Sequence, residues 1–107
     1  MRTAKVYYNH IFAGTLIEES RKQYQFTYDD DYFKNPSLPA ISLTLPKTRQ
    51  TFQEAFLFPF FYNMLAEGVN RKLQSRFFKI DEDDSFGLLI ATAGIDTIGA
   101  ITIKPSF

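Results

Sequence analysis

The stretch from Pro59 to Val69, PFFYNMLAEGV, constrains what this chain can fold into more than any other. With Phe56, Leu57 and Phe58 just ahead of it, it holds the densest apolar cluster in the sequence. Wound as a helix, Phe60, Phe61, Met64 and Leu65 fall at i, i+1, i+4 and i+5, the spacing of a stripe that a helix buries. Pro59 suits the first turn, where the missing amide hydrogen has no intrahelical partner to lose. Gly68 is expected to end the helix, because glycine reaches the left-handed C-cap conformation without a Cβ clash. The expectation is a buried central helix running into a tight turn, with the other elements packed on it.

The residues before it alternate with period two. Ala4, Val6 and Tyr8 oppose Lys5 and Tyr7, and a turn at Asn9-His10 returns the chain through Phe12–Glu18 as the second strand of a hairpin. Gly14 within that strand implies a bulge or a close backbone approach. Tyr24, Phe26 and Tyr28 share one face of a third strand whose other face is polar, the pattern of an antiparallel sheet with one wet side. The segment from Asp29 to Pro36 reads as a turn or a single helical turn. Ile41–Leu45 alternates again as a short strand stopped by Pro46, and Lys47–Thr51 reads as a loop.

Beyond Gly68, Val69, Leu73 and Phe77 recur at i, i+4 and i+8 and define the buried side of a second helix, with Phe78 and Ile80 beside it. Arg71, Lys72, Gln74, Ser75, Arg76 and Lys79 lie on its wet side. Asp81 is the expected N-cap of a third helix, whose first acids suit the positive end of the helix dipole and whose body is Phe86–Ile90. Gly94 closes it, Asp96-Thr97 turns the chain, and Ile98–Ile103 forms a last strand ended by Pro105. Strands, helices, then one strand is an α+β order. It predicts an antiparallel or mixed sheet of about five strands, curled toward a barrel, with two to three helices on one side.

At 107 residues the chain is one domain with a single core. Twelve basic and twelve acidic residues cancel, so a fold built only to grip nucleic acid is disfavoured. Without cysteine, neither a disulfide framework nor a Cys-type zinc site can form. The N-terminal residues lead into a strand and not a signal segment, and no apolar run approaches the ~18 residues of a membrane span. The default is a cytoplasmic domain.

Catalytic signals are weak. Asp81, Asp83 and Ser85 match the start of a calcium loop, but Phe86 stands where the sharp-turn glycine belongs and Thr92 where the bidentate glutamate belongs. Capping is the better reading of those acids, and a solvated turn the better reading of Asp29–Asp31. His10, the one histidine, has no nucleophile to serve, and the glycines are too scattered for a phosphate loop. No cofactor, metal or catalytic residue is nominated. Lys72, Arg76 and Lys79 fit a solvated helix face better than a phosphate site. The corner between the two helices is more specific. Either Leu65 and Val69 both fall inward, or part of the corner is an apolar handle for a partner. The candidate interface is Leu65, Ala66, Glu67, Gly68, Val69, Asn70 and Lys72.

Four segments in order resemble the N-terminal subdomain of HipA-type toxin kinases. Pro59–Gly68 resembles the family's P-F-F-x-N-L-L-P-E-G, and Ile41–Pro46 its L-S-L-S-L-P. Asp84–Leu89 is similar to D-x-F-x-L-L, and Gly94–Ile101 to G-x-D-x-x-G-A-V. The resemblance runs from Val6 to Pro105, with Ala66 departing from the family's proline. The full kinases carry a catalytic body after this subdomain, and no catalytic-loop or D-F-G-like segment occurs here. The resemblance therefore implies a non-enzymatic, freestanding subdomain similar to the HipS-type small antitoxins of tripartite HipBST systems. Its implied partners are a HipA-like kinase toxin lacking this subdomain and a helix-turn-helix protein that binds operator DNA in a ternary complex. The chain alone is expected to bind neither specific DNA nor membrane. A structural subunit aiding repression of the operon, or an activator completing the kinase fold, are the alternatives.

Overall fold

The structure is a computed structural model that describes residues 1–92 and 100–106. The early alternation becomes three consecutive strands, β1 (Arg2–Tyr8), β2 (Ile11–Ser20) and β3 (Gln23–Tyr28), each antiparallel to the next. Asn9 and His10 both take positive φ, 47° and 68°, as a two-residue hairpin turn requires when it must match strand twist. Both expectations for Gly14 hold. Val6 faces Gly14 while Tyr7 faces Phe12, so Ala13 is the extra residue of a bulge. A Cβ on Gly14 would run into the Thr27 carbonyl oxygen, so β3 lies as close as it does only because this side chain is absent.

Tyr24, Phe26 and Tyr28 are buried on the core face of β3, as the alternation implies. Asp29 then caps α1 (Asp30–Lys34), its carboxylate accepting the Tyr32 amide at 3.4 Å. The expected strand at Ile41–Leu45 does not form. Ile41 and Leu45 are buried, but Leu43 between them is 99% exposed. The Tyr28 hydroxyl accepts the Ile41 amide at 3.1 Å and donates to the Leu45 carbonyl, so a side chain satisfies the backbone that a ladder would have used. The fourth strand is β4 (Thr51–Glu54), which begins where a loop was expected to end and sets Phe52 beside Phe26.

The central helix is also shorter than expected. Pro59 does begin α2 (Pro59–Tyr62), but Asn63 caps it after one turn, and Met64 and Leu65 continue as tight turns. Phe61 and Leu65 are buried. Gly68 adopts the left-handed conformation anticipated for it (φ 58°), yet it opens α3 (Gly68–Phe78) and does not close α2. The turns at residues 63–67 leave the chain needing one positive-φ residue to enter α3, a conformation glycine takes without a Cβ penalty.

The largest correction concerns α3, none of whose residues is buried. Leu73 and Phe77 are expected inside and are 56 and 80% exposed, and Val69, expected either inside or as a partner handle, is 72% exposed. The helix turns its other side to the body because Arg71 holds it there. The Arg71 guanidinium donates to the Glu82 carbonyl at 2.7 and 2.9 Å and to the Ser85 hydroxyl at 3.0 Å, and lies 5.8 Å from the Tyr62 ring centre.

The third expected helix is α4 (Ser85–Thr92), with Phe86, Leu88 and Leu89 buried. Its N-cap is Asp84, which accepts the Gly87 amide at 3.0 Å, whereas Asp81 instead accepts the Asp83 amide in the turn before. The helix end at Gly94, the Asp96-Thr97 turn and the strand residues Ile98 and Gly99 lie outside the described residues. The last strand, β5 (Ile101–Pro105), pairs with β1 and takes in Pro105. The fold is α+β as expected, but the sheet, in the order β4-β3-β2-β1-β5, is open. Its core face, from Ala4 and Val6 to Phe26 and Ile103, shares one apolar cluster with Phe61 of α2 and Phe86 and Leu88 of α4.

Candidate partner interface

The corner between α2 and α3 is positioned from the sheet outward. One ladder row sets Arg2 of β1 opposite Glu18 of β2, and Glu18 opposite Tyr24 of β3. Period-two alternation puts all three on the core face, at its open end. Arg2 donates to Glu18 at 2.6 and 2.9 Å and to the Asp84 carboxylate at 2.7 and 2.9 Å, with its guanidinium carbon 5.1 Å from the centre of the Phe86 ring. Tyr24 donates to the second Glu18 oxygen at 3.0 Å. Asp84 is thus both the cap of α4 and a ligand of Arg2, so the start of α4 is pinned to the sheet. Arg71, bonded to Glu82 and Ser85 on either side of that cap, pins α3 in turn.

The electrostatics follow from these contacts. Hydrogen bonding to Arg2 holds the Asp84 carboxyl below its usual range, and the same bond raises the Arg2 guanidinium further above its own. Burial, then the bond to Glu18, pushes Tyr24 up to about 12. These groups keep their charge states near neutrality. They brace the fold and are not poised to move protons. His10 sits exposed at the hairpin tip. Among the described residues, no three His, Asp or Glu side chains gather as a metal site requires, and no helix is long and apolar enough to cross a membrane.

The structure divides the sequence-derived interface. Leu65 falls into the core and Ala66 is half-buried, while Glu67, Gly68, Val69, Asn70 and Lys72 face solvent. The reading in which Leu65 and Val69 both fall inward is not met, since Leu65 goes in and Val69 goes out. A hollow of about 190 Å³ lies at the corner between Tyr62, Leu65, Gly68 and Arg71. A larger groove of about 450 Å³ also borders Tyr62 and is lined by Phe56, Leu57, Glu18, Tyr24 and Asp84 among others. Sequence reasoning missed Leu73 and Phe77 as surface groups. Their signal, the i, i+4 repeat, was visible but assigned to the core.

Over residues 4–104 the chain matches the family described as HipA N-terminal domain. It belongs to that family. The match is to the N-terminal domain and not to a kinase domain. An uncharacterized protein of Haemophilus influenzae is 31% identical over 104 residues, covering 97% of this chain and 92% of that protein. A solved structure described as the N-terminal domain of HipA toxin superposes with a TM-score of 0.71 over 100% of this chain and 94% of that one. At 24% identity that likeness speaks to the HipA N-terminal fold alone.

Proposed function

We propose that this HipA N-terminal domain is the antitoxin of a bacterial type II toxin–antitoxin system. It binds and neutralises a separately encoded HipA-like Ser/Thr kinase that lacks this subdomain, in a cytoplasmic complex completed by a helix-turn-helix DNA-binding protein. The observation that carries the reading is the Haemophilus relative: the alignment takes in 92% of it, so that relative is this domain and little else. A relative of that size can act on a kinase only in trans, and the reading carries that arrangement to this chain. The outward position of Val69, beside a corner hollow, supports docking there.

Inhibition requires that the chain bind an inactive kinase conformation better than the active one. Moving the toxin from 1:99 to 99:1 inactive needs roughly 5.5 kcal/mol of differential binding, within reach of an interface with one or two good anchors. The test is co-expression with a separately encoded HipA-like kinase that lacks this subdomain, reading growth. Wild type should rescue, and Val69→Asp should melt like wild type yet fail to rescue, because the charge enters water in the free protein and an apolar contact in the complex. A stable complex without rescue makes the chain a structural subunit. Kinase activity that rises on mixing makes it an activator.

A further inference from the structure

We infer that the docking surface runs the length of α3, along Val69, Leu73 and Phe77, and that the partner surface covering it carries an apolar seam with carboxylates along one edge. This rests on the antitoxin reading and specifies the chemistry of its partner.

The helix presents its two sides in reverse of the usual order. Its half-buried side holds Arg71, Gln74 and Ser75, with Phe78 at its C-terminal end, while the stripe Val69, Leu73 and Phe77 is outward. At 100° per residue, Lys72 and Arg76 lie along one edge of that stripe, and Asn70 and Gln74 along the other. From Gly68 to Lys79 there is no acidic residue. Arg76 and Lys79 suit the negative end of the helix dipole, which accounts for them locally. Lys72, near mid-helix, has no such account and shares its edge with Arg76.

This asymmetry selects among occupants. Antiparallel pairing with a second copy would set Lys72 and Arg76 against themselves, and parallel pairing would set them against Asn70 and Gln74. Neither meets a carboxylate. Three side chains also expose at most a few hundred Å², short of the ~800 Å² that each partner buries in a standard interface. The stripe is therefore part of a larger contact that continues into the corner through Val69. A lipid surface would favour cations on both edges of an apolar face, and here one edge is uncharged. A protein partner with acids on one side meets the pattern in full.

The experiment is titration of the wild-type chain and four variants against the HipA-like kinase that lacks this subdomain, at low and high salt, with melting curves for each. Phe77→Asp should melt as wild type and bind at least tenfold more weakly at both salts. Lys72→Glu/Arg76→Glu should also melt as wild type, bind at least tenfold more weakly at low salt, and lose most of the wild type's salt dependence. Lys72→Arg/Arg76→Lys should retain both. If Val69→Asp loses binding while these α3 variants bind normally, contact stops at the corner and this inference falls while the antitoxin reading stands. If wild type does not bind the kinase, both fall. A homodimer in sedimentation, or binding to phosphatidylserine vesicles, that is abolished by Phe77→Asp would assign the face to another occupant and overturn the inference.

Discussion

Arg2 shows how much one residue carries here. It is the second residue of the chain, yet its guanidinium joins β1 to β2 through Glu18 and the sheet to α4 through Asp84. Replacing it with alanine strands two carboxylates, one of them buried, and should cost about 2–4 kcal/mol in urea unfolding. The pH dependence carries the same signature. Asp84 is depressed in the folded state, so its contribution is present above the unfolded carboxylate value of about 4 and is lost as pH falls through the folded value. Arg2→Ala should flatten that acid limb of a melting-temperature profile. Tyr24 is raised to about 12, so its contribution is full below the unfolded value near 10 and is lost as pH rises through about 12. Tyr24→Phe should remove its share of the alkaline limb, leaving the shares of Tyr28 and Tyr32, which burial also raises.

At the scale of elements, the segment Ile41–Leu45 separates the sequence expectation from the structure. A strand would place residues 41, 43 and 45 on one face. Here Leu45 is 2% exposed and Leu43 is 99% exposed. Leu45→Ala should cost about 2–5 kcal/mol, whereas Leu43→Ala should change stability by less than about 0.5 kcal/mol; chemical denaturation of the pair distinguishes the two geometries. Glycines give a second ordering. Gly68→Ala meets open space and bears only the left-handed strain, about 1–2 kcal/mol. Gly14→Ala drives a Cβ onto the backbone of β3, which cannot swing away, and should lower the melting temperature more. Equal losses would show that the β2–β3 approach relaxes easily.

For the molecule as a whole, α3 is the element set apart from the core. Leu73→Asp, which the sequence pattern marks as unfolding, is expected to melt within a few degrees of wild type because Leu73 is 56% exposed. A collapse of the fold would mean that α3 packs inward in solution. The isolated chain is expected to show neither ATP hydrolysis nor autophosphorylation above a heat-killed control. Phosphate release by clean protein would overturn that expectation. Within the acidic run Asp81–Asp84, Asp84 caps α4 and ties it to Arg2, and Asp81, the first residue of the calcium-loop match, closes the turn before it.

Period-two alternation placed Val6, Tyr24, Phe26 and Tyr28 on the core face, and turn chemistry placed Asn9-His10, because both depend only on neighbours along the chain. The same local logic found the proline that starts α2 and the left-handed glycine at position 68. It did not find β4, whose four residues are a strand only because Phe26 and Tyr24 lie beside them. It marked the stripe Val69, Leu73 and Phe77 but not its direction. A helical repeat states that three side chains share a face, not what that face meets. Which side of α3 turns inward was decided by Glu82 and Ser85, eleven and fourteen residues beyond Arg71, and those partners come together only in the folded chain.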